Sequence, residues 1–248
     1  MKLKSAEEIQ ILRAGGKILA SIVHEVGNQV KPGITAVDLD KTAALLIEKM
    51  NGQPAFKGYN GFPAVSCISI NEGVVHGIPD KDYRFQEGDI VGVDIGLAYK
   101  GLYTDMAITI GVGHVNAHTQ KLILVTKQAL DIAINQAKLG NTIGDIGHAV
   151  QSFVEKNEFS VVRTLVGHGV GFEVHEEPKV PNFGKPGTGL TLESGMVLAI
   201  EPMVNIGGSE VKTLDDGWTI VTLDGSLSAH FEHTIAITAN GTEVLTSQ

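Results

Sequence analysis

The chain has 248 residues, of which 43% are hydrophobic, and carries a formal net charge of −9 at pH 7. This length can fill one large core, but no uninterrupted apolar run approaches the ~20 residues of a membrane-spanning helix. The negative charge, without a Lys/Arg cluster, argues against nucleic-acid binding. An acidic, amphipathic N-terminus and the single Cys67 predict a cytoplasmic protein without an internal disulfide.

Helix start signals open the chain. Ser5-x-x-Glu8 is a capping box ahead of apolar residues at helical spacing, and that pattern stops before Pro32-Gly33. Thr35-x-x-Asp38 predicts a second helix that runs to about Asn51-Gly52.

Strands are predicted next, and then the plan repeats. Residues 54 to 110 read as strands and turns, with strands at about 65–70, 74–76, 90–97 and 102–110. Helices at about 116–139 and 143–157 follow, and strands continue to the end. Helix pairs followed by antiparallel strands, twice, predict an α+β layered fold.

The second half also repeats sequence from the first. An apolar run opened by Gly88 and closed by Asp94 matches one opened by Gly195 and closed by Glu201, at the same offset of 107 positions. Three matches in this register predict a duplicated half-domain, so that residues 1–248 form one domain with halves of about 1–110 and 111–248. Asp94 and Glu201 should then face each other across a pseudo-twofold axis.

Asp94 and Asp105 flank the predicted turn Ala98-Tyr99-Lys100-Gly101. A two- or four-residue loop would make them direct cross-strand partners, and opposed like charges are destabilising unless a cation lies between them. Two ordinary surface aspartates are the alternative interpretation of the hairpin.

A histidine and another carboxylate have comparable settings. His168 lies among glycines in Gly167-His168-Gly169-Val170-Gly171, and Glu232 begins an otherwise apolar strand. Unpaired carboxylates are almost never buried. With Asp94, Asp105 and Glu201 these residues offer four carboxylates and one imidazole, which balance two divalent ions and favour hydrolysis by an activated water.

Several motifs carry a family resemblance over essentially the whole chain. The motifs are Tyr59-Asn60-Gly61-Phe62-Pro63, Ile68-Ser69-Ile70-Asn71-Glu72, Val75-His76-Gly77-Ile78-Pro79, Gly167-His168-Gly169-Val170-Gly171, His175-Glu176-Glu177-Pro178, Glu201-Pro202-Met203 and Phe231-Glu232-His233-Thr234. With these motifs the sequence resembles the type I methionine aminopeptidases, in the short bacterial-type form.

The resemblance implies the pita-bread fold, a dinuclear metal centre and removal of the initiator methionine when the second residue is small. It implies that Asp94, Asp105, His168, Glu201 and Glu232 bind the two ions, which are Co, Mn, Fe or Zn. It further implies that His76 and His175 contact substrate outside the metal shell and that Glu201 also shuttles a proton.

The resemblance assigns two further groups of residues. The methionine pocket would comprise Tyr59, Phe62, Cys67 and Trp218, although plain core packing is the alternative for each. A monovalent-cation site would comprise Asn71, Gly73 and Ser228. The sequence departs from the family's common pattern at Tyr103-Thr104, and Phe56 and Val174 occupy variable positions at the pocket edge. Side-chain preference is therefore open.

The expected partners are nascent polypeptides and peptides, with transient ribosome association, no membrane and a monomeric chain. Two alternatives stay open. A proline-directed peptidase of the same fold would normally carry an additional N-terminal domain. A non-catalytic binding module would normally have lost metal ligands, and here all five are present.

Overall fold

The structure, a computed structural model, describes residues 2–247. In this part of the chain there are four α-helices: α1 (Ala6–Gly27), α2 (Ala36–Lys49), α3 (Ala117–Gln136) and α4 (Ile143–Lys156). The strands are β1 (Gln53–Pro54), β2 (Ser66–Ile70), β3 (Gly73–Val75), β4 (Ile90–Tyr99), β5 (Leu102–Gly111), β6 (Ser160–Val161), β7 (Val166–Gly169), β8 (Glu176–Pro181), β9 (Val197–Ile200), β10 (Met203–Asn205), β11 (Val211–Thr213), β12 (Ile220–Thr222), β13 (Ser228–His230), β14 (Glu232–Thr238) and β15 (Gly241–Val244). Within residues 2–247, no helix has the length and apolar character needed to cross a membrane.

The predicted helix starts are confirmed. The Ser5 hydroxyl accepts from the Glu8 amide at 3.2 Å, and the Glu8 carboxylate accepts from the Ser5 amide at 2.7 Å. Thr35 and Asp38 form the same reciprocal pair at the start of α2. Each box satisfies amides that a helix start otherwise leaves unpaired.

A curved antiparallel sheet forms the frame of the molecule. Its strand order is β1-β4-β5-β14-β9-β7-β8, with β2 paired to β4 and β15 paired to β14. One core cluster joins α1 and α2 to β4, through residues such as Leu19, Ile47 and Ile95. A second joins α3 and α4 to β9 and β14, through residues such as Leu122 and Val150. The predicted α+β class is confirmed.

The 107-residue offset found in the sequence recurs in the backbone. The bounds of α2 and α4 differ by that offset at both ends. Thr35 and Thr142 are the corresponding N-caps, each with a capping box. Gly88 and Gly195 both have a φ of 94°, a left-handed conformation that favours glycine. The corresponding strands β4 and β9 flank β5 and β14 at the centre of the sheet.

The predicted hairpin register is wrong. Asp94 lies opposite Ala107, and Asp105 lies opposite Gly96, so the two aspartates are diagonal neighbours on one face. Direct pairing requires a loop centred between Tyr99 and Lys100, whereas the observed two-residue loop is Lys100-Gly101, one position later, and both of its residues have positive φ (51° and 82°). Positive φ at both central residues is the requirement of the type I′ turn, which lets the strands pair up to the loop itself.

Candidate active site

A cavity of about 540 Å³ opens beside the central strands of the sheet. It brings together every catalytic, metal-binding and pocket residue that the sequence indicated. The lining includes Tyr59, Phe62, Cys67, His76, Asp94, Asp105, His168, His175, Glu201, Trp218 and Glu232.

The five candidate metal ligands come from five places in the sheet. Asp94 lies on β4, Asp105 on β5 and His168 on β7; Glu201 directly follows β9, and Glu232 begins β14. Their separation in sequence is closed by strand pairing alone.

A single small residue lies between two of these carboxylates. Ala107 is paired with Asp94 on one side and with Glu232 on the other. Directly paired residues of antiparallel strands point to the same face, so the three form one row across β4, β5 and β14. Because the Ala107 side chain is only a methyl group, it leaves room for the carboxylates of Asp94 and Glu232 on that face of the sheet.

Hydrogen bonding of His168 leaves one of its ring nitrogens available to a ligand. Its Nδ1 lies 2.9 Å from the Gly169 carbonyl oxygen, which can only accept, so Nδ1 carries the proton. Nε2 is left with its lone pair, 3.4 Å from Glu201 Oε1. One ligand atom each from Asp105, His168 and Glu232 lie within 4.8 Å of one another. This spacing suits coordination of one ion.

The carboxylates are held where their charge is unfavourable. Burial raises the pKa of Asp105 to about 7 and raises the pKa of Asp94, Glu201 and Glu232 well above the usual range. Repulsion from the Asp105 carboxylate further raises the pKa of Asp94, Glu201 and Glu232. Repulsion from Glu201 also raises the pKa of Asp94, as expected if Asp94 and Glu201 face each other.

Two buried carboxylate oxygens have no hydrogen-bond partner among residues 2–247, namely Asp94 Oδ1 and Glu232 Oε1. An unpaired buried acceptor is costly. Hard oxygen donors of this kind, with one imidazole nitrogen, match the ligand preferences of divalent metals. The donor set therefore fits a divalent metal.

The site histidines are neutral near pH 7. Burial lowers the pKa of His168 to about 3 and of His76 to about 4, and it also lowers the pKa of His175. The His168 and His175 rings are 4.3 Å apart between centroids. Neutral imidazoles can serve as metal ligand or hydrogen-bond donor without adding charge.

The other wall of the cavity is apolar. Phe62 and Cys67 are buried together with Phe56 and Val174, and Trp218 meets Phe62 edge to face at 5.2 Å between ring centroids. Tyr103 packs against the same cluster. The variable positions noted in the sequence thus adjoin the candidate pocket.

Two further residues belong to the cavity. His230, two positions before Glu232, has its Nε2 3.6 Å from Glu201 Oε2. Glu176 also lines the cavity and pairs with Lys4, 172 positions away. Sequence reasoning missed this pair because no local pattern connects residues so far apart.

The residues suggested for a monovalent cation are close together. The Ser228 amide donates to the Asn71 carbonyl at 3.0 Å, and Gly73 follows Asn71 by two positions at the start of β3. The Asn71 side chain donates to Asp89 at 2.9 Å. A cation site here stays a prediction.

An antiparallel α+β fold with a buried carboxylate and histidine centre under an apolar pocket defines a metal-dependent hydrolase. Residues 10–239 match metallopeptidase family M24, and the chain belongs to that family.

Proteins similar to this chain are named methionine aminopeptidases. One from Clostridium perfringens is 50% identical over 244 residues, 98% of each chain, and methionine aminopeptidase 1 of Bacillus subtilis is 47% identical over 243 residues, also 98% of each. A crystal structure of methionine aminopeptidase from Thermotoga maritima matches with a TM-score of 0.98 and 48% identity over the whole of both chains. These findings confirm the family resemblance and the pita-bread fold.

The prolidase from Pyrococcus furiosus matches with a TM-score of 0.79 and 24% identity, over 99% of this chain and 65% of the prolidase. That likeness shows the fold alone.

Proposed function

We propose that this chain is a metal-dependent aminopeptidase that removes an N-terminal methionine when the second residue is small. The observation that carries the proposal is one cavity holding both a buried carboxylate cluster and an aromatic, thiol-lined wall. The high identity to methionine aminopeptidases over nearly the full length supports the same activity.

Two divalent ions are proposed to bind Asp94, Asp105, His168, Glu201 and Glu232. Four carboxylates neutralise two such ions, whereas one ion would leave excess negative charge in a buried site. When bound, the ions would polarise the scissile carbonyl as Lewis acids and would lower the pKa of a water, which makes that water a better nucleophile at neutral pH. This donor set accepts manganese, iron, cobalt or zinc according to availability.

The apolar wall is proposed to bind the methionine side chain. Tyr59, Phe62, Cys67 and Trp218 present aromatic faces and a sulfur, against which a flexible thioether packs well. The preference for a small second residue is what the resemblance to the methionine aminopeptidases implies.

Three residues are proposed to act on the substrate. His76 would contact the scissile amide, and His175 would donate a hydrogen bond to the carbonyl oxygen as negative charge develops on it. Glu201, whose pKa burial raises well above its usual range, would accept a proton from the attacking water and give it to the leaving amine.

The remaining expectations form part of the same proposal. We infer one catalytic domain over residues 1–248, with halves of about 1–110 and 111–248. We further infer a cytoplasmic monomer that acts on nascent polypeptides and peptides in transient contact with the ribosome, with a monovalent cation near Asn71, Gly73 and Ser228.

Peptide cleavage with metal analysis tests the proposal. We expect release of the first residue from Met-Ala-Ser, much slower release from Leu-Ala-Ser, and no cleavage of Ala-Pro peptides. Chelation should abolish turnover, and divalent metal should restore it. Full activity of thoroughly demetallated protein would contradict the metal mechanism. Equal cleavage of the Met and Leu peptides would remove the methionine specificity, and preference for Ala-Pro would favour the proline-directed alternative.

A further inference from the structure

A buried ion pair joins the start of the chain to the segment that carries His175. Lys4 Nζ lies 2.7 Å from Glu176 Oε2, and the exposed fractions of the two side chains are 1% and 10%. Charged side chains are almost never buried unless they are paired. Neither residue is among the proposed metal ligands or substrate contacts, so the chemistry itself does not explain the pair.

The Glu176 carboxylate also closes the segment on itself. Its Oε1 accepts from the Phe172 amide at 2.6 Å and from the Glu173 amide at 3.1 Å. One carboxylate therefore ties together the two ends of residues 171–176, which we term the His175 loop, and attaches them to Lys4. The Lys4 side chain also packs directly against the backbone of Gly171, since a Cβ added to Gly171 would lie only 2.5 Å from Lys4 Cε.

The His175 loop places two groups in the cavity region. Val174, 4% exposed, packs with Phe62 in the pocket cluster. His175 points its ring at Tyr59 and His168. A shift of the loop would move the proposed carbonyl-binding imidazole and one wall of the pocket together.

The other end of the ion pair is fixed to the sheet. The Lys4 amide donates to the Gly195 carbonyl at 2.8 Å, and the Gly195 amide donates to the Ile237 carbonyl on β14 at 2.8 Å. Ser5, the next residue, caps α1. Lys4 is thus a fixed point against which the loop can be held.

We propose that Lys4 and Glu176 are positioning residues for His175, and that their ion pair holds the His175 loop in the arrangement required for turnover. This inference rests on the proposed function, since it takes His175 to act on the substrate carbonyl.

The chain offers a control in a more exposed ion pair, whose side chains are 38% and 36% exposed. Arg13 on α1 pairs with Glu243, with Nη2 to Oε2 at 2.8 Å, and this pair also joins distant parts of the sequence. Neither residue lines the cavity. Lys4→Met and Arg13→Met each remove one long-range cation, but only the first reaches the His175 loop.

The experiment measures kcat and KM for Met-Ala-Ser, metal content and Tm on the metal-loaded full chain, for Lys4→Met, Arg13→Met, His175→Ala and Lys4→Met/His175→Ala. We expect Lys4→Met to lower kcat about tenfold or more at unchanged metal content, because small displacements of a catalytic group cost up to ~10²-fold in rate. In the His175→Ala background Lys4→Met should cause no further loss. Arg13→Met should leave kcat unchanged.

Removing one partner of a buried pair can prevent folding, so the variant Lys4→Met/Glu176→Gln is included. It removes both charges, and the glutamine Oε1 can still accept from the loop amides. We expect it to fold, to show faster amide hydrogen exchange in residues 171–176, and to retain the loss in kcat.

A wild-type kcat in Lys4→Met/Glu176→Gln would overturn the proposal. So would a Lys4→Met effect on kcat that is as large in the His175→Ala protein as in the wild type. A loss of kcat in Arg13→Met equal to that in Lys4→Met would also overturn it. Failure of the wild type to release methionine would instead contradict the proposed function. Amide hydrogen exchange in the His175 loop would then still show whether the ion pair holds the loop. Unchanged exchange in Lys4→Met/Glu176→Gln would overturn the inference that it does.

Discussion

The hydroxyl of Tyr59 lies 3.1 Å from Nδ1 of His175, with the two rings tilted and 5.3 Å apart between centroids. A residue proposed to bind the methionine side chain thereby contacts the imidazole proposed to bind the carbonyl. A phenol that donates to Nδ1 leaves the ring proton on Nε2, where it can reach the substrate.

Tyr59→Phe should separate these two roles, because it keeps the aromatic ring and removes the hydroxyl. One neutral hydrogen bond is worth about 0.5–1.5 kcal/mol, so we expect kcat to fall about two- to thirteenfold. KM and metal content should change little. Steady-state kinetics on Met-Ala-Ser with metal analysis measure this, and Tyr103→Phe, in the same cluster, is the control. A rise in KM at constant kcat would assign Tyr59 to the pocket alone.

Three of the four histidines that line the cavity, His76, His168 and His175, should sort into two groups. Single substitution of His76 or His175 by Ala is expected to lower kcat by about 10²–10³ while metal content stays near wild type, as for loss of a transition-state hydrogen bond. His168→Ala should lose metal as well as activity, since His168 clusters with Asp105 and Glu232. Equal metal loss in His175→Ala and His168→Ala, measured by elemental analysis, would show that this assignment is wrong.

Without metal, the carboxylates should make stability fall as pH rises. The unfolded pKa values are about 4 for Asp and Glu. In the folded protein, burial raises the pKa of Asp105 to about 7 and raises the pKa of Asp94 and of Glu201 well above their usual range. The folded apo protein then binds more protons than the unfolded chain, so stability is lost from about pH 4 upward through the raised values.

The buried histidines oppose this trend at lower pH. Their folded pKa values, about 3 for His168 and for His230, lie below the unfolded value of about 6.5, so their contribution grows up to that pH. The histidine effect is half lost at pH 6.5, and above about pH 7.5 only the carboxylate effect remains in this cluster. Melts with chelator at pH 6.5, 7.5 and 8.5 should therefore show Tm falling between the last two, and saturating metal should remove the fall and raise Tm.

Asp94→Asn tests the origin of that fall. It removes one charge at nearly constant volume, so it should raise the apo Tm, more at pH 8.5 than at pH 6.5, while abolishing catalysis. An apo wild type that melts no lower than apo Asp94→Asn across this range would contradict mutual repulsion in the cluster. It would also weaken the charge-balance argument for two ions.

The pocket should be sensitive to one glycine on β4. A Cβ at Gly96 would lie 2.5 Å from Phe56 Cε1 and 2.8 Å from Ala55 Cβ, whereas one at Gly92 would meet Ser69 Cβ at an ordinary 3.6 Å. Gly96→Ala should cost about 1–3 kcal/mol of unfolding free energy, as overpacking does, and raise KM by displacing Phe56. Gly92→Ala is the matched control. Equal KM values in the two variants would show that Phe56 does not shape the pocket.

Local patterns predicted the helices well. The Thr35 and Asp38 capping box needs only residues three positions apart, so the sequence contains all of its information. The predicted register of Asp94 and Asp105 is wrong because the register depends on which two residues form the turn, and Lys100, which begins it, is not a residue type that favours positive φ. The pairing of Lys4 with Glu176 could not be predicted, since it forms only when the segment before α1 packs against the loops of Gly171 and Gly195.

The row formed by Asp94, Ala107 and Glu232 has a kinetic consequence. Glu232 reaches the other carboxylates only when β14 pairs with β5, a contact that closes a loop of more than a hundred residues. The proposed ion site is therefore complete only after this long-range pairing has formed. Metal should then act mainly by slowing unfolding, with little effect on the folding rate, so bound ions would prolong the lifetime of the native protein more than they hasten its formation.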